Sequence, residues 1–157
     1  MESSDEKKSQ KALLVTKAFF DNYFKKPLFF NSFDYSESYA VSFFDILSDY
    51  NASDKQKLTK SLIKNIQLLL KLKPNFLIHK NFGAVQGDKN NYLYEIHRVK
   101  DPDPYRVVFT ISEDRKKIIF LYIFLENKMT WTRVLNNRLP SKAFHEQELG
   151  CRFQVRR

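Results

Sequence analysis

The sequence predicts an α+β domain: a small antiparallel sheet, made of a short N-terminal strand and a C-terminal three-stranded meander, with helices packed on one face. Three observations lead there. Between Tyr92 and Leu125, three β-type runs follow one another with short, turn-like interruptions. Ahead of them, apolar residues recur at helical spacing. The composition is 43% hydrophobic and 15% aromatic with only 3 Gly in 157 residues, which suits a packed globule and excludes a disordered chain. That length suffices for one domain with a real core, and neither a repeat nor a composition break divides residues 1–157.

Residues 1–10 are polar and read as a flexible tail. Ala12–Val15 (ALLV) is a candidate strand, and Thr16 caps a helix over Lys17–Lys25 whose Phe19, Phe20, Tyr23 and Phe24 form one apolar stripe before Pro27. Leu28–Tyr35 is aromatic but aperiodic, a connection. Glu37–Tyr50 reads as a helix, with Val41, Phe44, Ile46 and Leu47 on its buried side. Ser53 and Gln56 match a capping box for a helix running to Lys73, with Leu58, Leu62, Ile66, Leu69 and Leu70 inward and Pro74 as its stop. Its other face carries Lys55, Lys57, Lys60, Lys64 and Lys71, either a solvated face or a contact for phosphates.

Phe76–Ile78 reads as a short extended piece and Asn81–Asn91 as a loop. Strands are expected over Tyr92–Val99, Tyr105–Ile111 and Lys117–Leu125, with Pro102 and Pro104 in the first turn and Ser112–Arg115 as the second. The third is apolar on both faces, Ile118/Phe120/Tyr122/Phe124 and Ile119/Leu121/Ile123/Leu125, which marks a central strand covered on both sides. Residues 126–157 form a C-terminal appendage, with a helical turn over Thr130–Asn137 and a short helix between Ser141 and Gly150.

The net charge of +9 favours polyanions such as RNA, DNA or the ribosome, with plain solubility as the bland alternative. Cys151 is the only cysteine, which excludes an internal disulfide and a Cys-rich zinc site and fits a reducing compartment. The N-terminus has no signal-type apolar core, and the longest apolar run, Ile118–Leu125, falls far short of the roughly 20 residues of a membrane span. A cytoplasmic protein with no membrane partner is expected.

Strand register decides whether the polar residues of the meander meet. Pairing Ile96 with Val107 and Tyr94 with Phe109 gathers the apolar side chains on one face. The same pairing sets Glu95 opposite Val108 and His97 opposite Arg106 on the other face, and a one-residue slip would drive Glu95 and His97 into the core. Such a trio suits RNA cleavage by the ribose 2′-OH, with Arg106 clamping the phosphate and Glu95 or His97 moving protons. The plainer reading is a surface network in which Glu95 pairs with Arg106 and His97 stands by. There is no Gly-rich phosphate loop, no nucleophile elbow and no paired metal ligands; His79 and His145 are isolated, so neither metal nor cofactor is expected.

The pattern LYEIHR, a turn, YRVVFTI, and KKIIFLYIFLENK resembles the second half of the RelE/ParE toxin superfamily. ALLVT, a helix, and a longer helix ending before Pro74 sit where that family has its strand and helical pair, and NFGAVQGDKNNYLYEI is similar to its segment leading into the sheet. The resemblance implies helices on one sheet face with an open concave face opposite. It also implies the toxin of a two-gene toxin–antitoxin module, usually an mRNA endonuclease in the ribosomal decoding site. By position Arg106 matches the phosphate-binding arginine, with Glu95 and His97 as acid–base residues; Lys128 falls where a further cation often sits, and Arg98 and Trp131 complete an RNA-binding set. The partners implied are mRNA, the ribosome and a cognate antitoxin. Residues 28–53 depart from the pattern as an insertion with an additional helix, and ENKMTWTRV lacks the family's catalytic ending, which leaves the general acid unassigned. Trp131 either stacks on a base or packs. Two further readings stay open: a gyrase-directed relative without nuclease activity, and a non-catalytic nucleic-acid-binding module using the lysine-rich helix and the basic residues 152–157.

Overall fold

A computed structural model describes residues 4–24, 32–73, 75–99 and 101–157, the side chains of residues 98 and 99 excepted. Among the described residues, five helices and a five-stranded mixed sheet make up the α+β architecture. The helices are α1 (Ser4–Tyr23), α2 (Glu37–Ser48), α3 (Ala52–Leu72), α4 (Trp131–Arg133, continued by a π-helical turn over Val134–Arg138) and α5 (Lys142–Leu149). The strands are β1 (Phe33–Tyr35), β2 (Phe82–Ala84), β3 (Tyr94–Val99), β4 (Tyr105–Ile111) and β5 (Ile118–Leu125), in the spatial order β1-β5-β4-β3-β2. The β1–β5 pair is parallel and the others are antiparallel.

The N-terminal third departs most from expectation. Ala12–Val15 is the middle of α1, not a strand, and α1 takes in Ser4–Gln10, which read as a tail. Its buried residues Ala12, Thr16, Phe19 and Phe20 follow helical spacing, so the four apolar letters belong to a longer period. The short strand lies instead at Phe33–Tyr35, inside the stretch read as a connection and insertion, where it pairs with Ile118–Phe120. Residues 25–31, with Pro27 among them, and Pro74 lie outside the described residues. Phe76–Ile78 is a 3₁₀ turn, and β2 emerges from the predicted loop.

The cap of α3 also moves. Asn51 Oδ1 accepts the Asp54 N–H at 2.8 Å, so the helix starts before the Ser53–Gln56 box. At the other end of the chain the reading holds: Ser141 Oγ accepts the Phe144 N–H, and Gly150 closes α5 in the left-handed conformation at φ 68°.

Two hydrophobic cores sandwich the sheet. On one side α1, α2 and α3 bury Phe20, Tyr39, Leu62 and Ile66 against Phe109 and Phe120. On the other, the C-terminal segment lays Val134 and Phe153 over Val108, Leu121 and Phe124. The expected helices on one face, with an open face opposite, therefore give way to a sheet covered on both sides. The physical reason is β5, whose apolar residues on both faces need cover on both.

β5 also contains a bulge. Val108 pairs with Tyr122 and Phe109 with Phe120, which leaves Leu121 as an extra residue. Beyond it the alternation inverts: Tyr122 and Phe124 join the second core, while Ile123 and Leu125 join the first. Where β1 ends, serines of α2 and its cap take over the edge of β5. Ser36 Oγ and Ser38 Oγ donate to the Leu121 carbonyl, and the Ile123 N–H donates to Ser42 Oγ at 3.1 Å. Backbone groups set free by the bulge thereby find partners. Among the described residues, no helix is long and apolar enough to cross a membrane.

Candidate functional site

The β3–β4 register is Tyr94 with Phe109, Glu95 with Val108 and Ile96 with Val107. Apolar alternation on both strands imposes it, because a slip would drive the Glu95 carboxylate into the apolar core and expose Ile96, now fully buried. Past Ile96 the pairing shifts, so that His97 and Arg98 together stand opposite Arg106 before Val99 meets Tyr105. This bulge still leaves the His97 ring on the same sheet face as Glu95.

Glu95 is the hub. Its Oε1 accepts from Arg106 Nη1 and lies 2.9 Å from His97 Nδ1. The residue is only 8% exposed, whereas the side chains of His97 and Arg106 are 26% and 27% exposed. The other ring nitrogen of His97, Nε2, meets the Lys80 carbonyl. The ring is thus held from both sides, by a carboxylate at one nitrogen and a carbonyl at the other. The ring lies over Gly83, which faces Glu95 in β2; a Cβ there would stand 3.3 Å from His97 Cε1.

A second carboxylate completes the cluster. Arg106 Nε donates to Glu126 Oε1 at 2.8 Å, and Glu126 is the more exposed acid, at 36%. Sequence reasoning missed Glu126. It sits two residues beyond Phe124, the cross-strand partner of Arg106, so it shares that face only because of the bulge at Leu121. Without the bulge the alternation would send it to the other side.

The remaining predicted residues scatter. Trp131 packs its ring edge-on against Phe124, with centroids 5.0 Å apart, and so lies one residue away from Arg106. Lys128 is exposed and lines a groove of about 160 Å³ between α2 and the end of β5, together with Asp45, Asp49 and Met129. The side chain of Arg98 lies outside the described residues.

Chemically, the cluster holds a guanidinium, an imidazole and two carboxylates on a partly exposed sheet face. It can transfer a proton between Glu95 and His97 and present Arg106 to an anion once Glu126 yields its place. No protein-family model matches the chain, and no curated protein matches it significantly in sequence.

Proposed function

We propose that this chain is the toxin of a toxin–antitoxin pair, an endoribonuclease of the RelE/ParE type that cleaves mRNA on the ribosome. The observation that carries the reading is the single Glu95 oxygen shared by His97 and Arg106 on an accessible face of the meander. The order of element types supports it: β1, the α2–α3 pair and then the meander run strand, helical pair, sheet, although the resemblance set its strand at residues 12–15 and read residues 28–53 as an insertion.

In this reading Glu95 takes the proton of a ribose 2′-OH, whose oxygen attacks the adjacent phosphorus. Arg106 exchanges Glu126 for two phosphate oxygens and stabilises the charge that develops there. His97 gives a proton to the departing 5′ oxygen as the P–O5′ bond breaks, leaving a 2′,3′-cyclic phosphate and a 5′-hydroxyl.

Expression of the chain in a bacterium should arrest growth and translation, and Arg106→Ala should relieve both, with cleavage in a translation extract falling about 10²–10³-fold. A harmless wild type, or full toxicity in both Arg106→Ala and His97→Ala, overturns the proposal. One observation favours a non-catalytic nucleic-acid-binding module instead: two carboxylates flank Arg106, so an incoming phosphate meets no surplus positive charge. That reading expects Glu95→Gln and His97→Ala to leave every activity of the chain intact.

A further inference from the structure

The molecule treats its lysines in two ways. Three lysines of α1 and α5 are paired: Lys8 with Asp45 at 2.6 Å, Lys17 with Asp21 at 3.1 Å, and Lys142 with Glu146 at 3.1 Å. On α3, Lys57, Lys60, Lys64 and Lys71 are all exposed, and none makes an ion pair or hydrogen bond among the described residues. At 100° per residue these four fall within about 60° of the helix circumference, opposite Leu58, Leu62, Ile66 and Leu69. They form a straight line about 21 Å long at 1.5 Å per residue. Within α3, five lysines face one acid, Asp54, a net +4 of the chain's +9.

We propose that this stripe is a docking surface for the phosphate backbone of duplex RNA. The inference deepens the RNA-directed reading above and rests on it. A rigid helix holding cations in a fixed line is matched by a rigid line of phosphates, and double-stranded RNA is recognised through shape and backbone. A lipid surface fits poorly, since Ser53, Gln56 and Gln67 flank the stripe where an inserting helix would carry large apolar side chains.

The stripe and the Glu95 cluster lie on opposite faces of the sheet, and side chains on the flank of α3 connect the helix to the strand that carries the cluster. Asn65, next to Lys64, accepts from Asn81 Nδ2 at 3.2 Å, and the Asn81 carbonyl accepts the His97 N–H at 2.9 Å. Ser61, next to Lys60, donates to the Asp101 carbonyl in the loop before Arg106.

The test is binding of the full chain to a 20-base-pair RNA duplex across a salt series, with an unpaired 20-nucleotide strand and polyglutamate as the other probes. Replacing Lys57, Lys60, Lys64 and Lys71 together by Gln should flatten the slope of log affinity against log salt on the duplex by about 3, at roughly 0.7–0.9 per phosphate neutralised. A variant with Lys7, Lys8, Lys11 and Lys17 changed to Gln loses the same charge from α1 and should keep most of the slope. Unchanged slopes in the α3 variant, equal losses in both variants, or equal or tighter binding of polyglutamate or the single strand overturn the proposal. Arg106→Ala should abolish growth arrest yet leave duplex binding intact, so failure of the nuclease reading and failure of the docking surface show up in different measurements.

Discussion

Two histidines sit in contrasting networks. His97 stands on the open rim of the sheet, touches a carboxylate and a carbonyl, and shares its hub with a guanidinium. His145 on α5 is wholly buried, and among the described residues its ring hydrogen-bonds with Ser38 Oγ alone, at 2.9 Å. The one proton of Ser38 goes to the Leu121 carbonyl at 2.6 Å, so His145 Nε2–H is the donor and its Nδ1 is left as a bare, buried lone pair. The difference separates the roles of polar groups in this fold. The cluster around Glu95 keeps charges at the solvent boundary, where exchange with a ligand is possible. The chain from His145 through Ser38 to Leu121 is neutral and fastens α5 to the bulged edge of β5.

The largest expected effect tests that neutrality. Burial pushes the His145 imidazole down to about 4, below the ordinary value near 6.5 that it regains on unfolding. The unfolded chain therefore takes up the proton first as pH falls. The contribution of His145 is fully present above about 6.5 and is lost progressively down to about 4, a total of about 3 kcal/mol. Gln keeps a donor for Ser38 but does not titrate. Urea denaturation between pH 7 and pH 4 should show His145→Gln losing about 3 kcal/mol less than wild type over that interval. Parallel pH profiles for the two proteins would mean that α5 undocks before the imidazole titrates.

Much of this was visible in the residues, in proportion to how strongly a pattern fixed its own phase. Tyr94, Ile96, Val107 and Phe109 alternate with polar or smaller residues, and the pairing they imply is the one observed. The run Ile118–Leu125 is apolar at every position, so nothing in it marks the bulge at Leu121 that turns Tyr122, Phe124 and Glu126 toward Arg106. ALLV is too short to distinguish strand from helix on its own, and β1 is three residues in a parallel pair with a strand 85 positions later. His145 looked isolated because Ser38 lies 107 residues away. The lysine stripe needed only the helical period, and it was read from that.

A smaller effect is expected at the network around Glu95. Glu95→Gln keeps the shape of the hub and removes its charge, while Arg106 retains Glu126. Because the partners are more than a quarter exposed, solvent screens the pair, and the loss should be about 1 kcal/mol in low salt. In 1 M NaCl most of that difference should vanish, whereas the His145 effect should not change. A loss above about 3 kcal/mol that salt does not reduce would place Glu95 among the buried, structural polar groups and erase the contrast with His145.

The smallest effect concerns the ring of His97 itself. In a strand, Ala is favoured over Gly by about 0.5–1 kcal/mol, because Gly loses more backbone freedom on folding. At Gly83 the added Cβ meets His97 Cε1 at 3.3 Å and Nδ1 at 3.5 Å, so the ring must shift by a few tenths of an ångström. That shift strains its bonds to Glu95 and the Lys80 carbonyl. The two effects should nearly cancel, and Gly83→Ala should move the thermal midpoint by no more than about 2 °C. The imidazole resonances of His97 should nevertheless shift while those of His145 stay in place. A rise of several degrees with the His97 resonances unmoved would show that the ring yields freely, and that Glu95 and Lys80 do not hold it in one position.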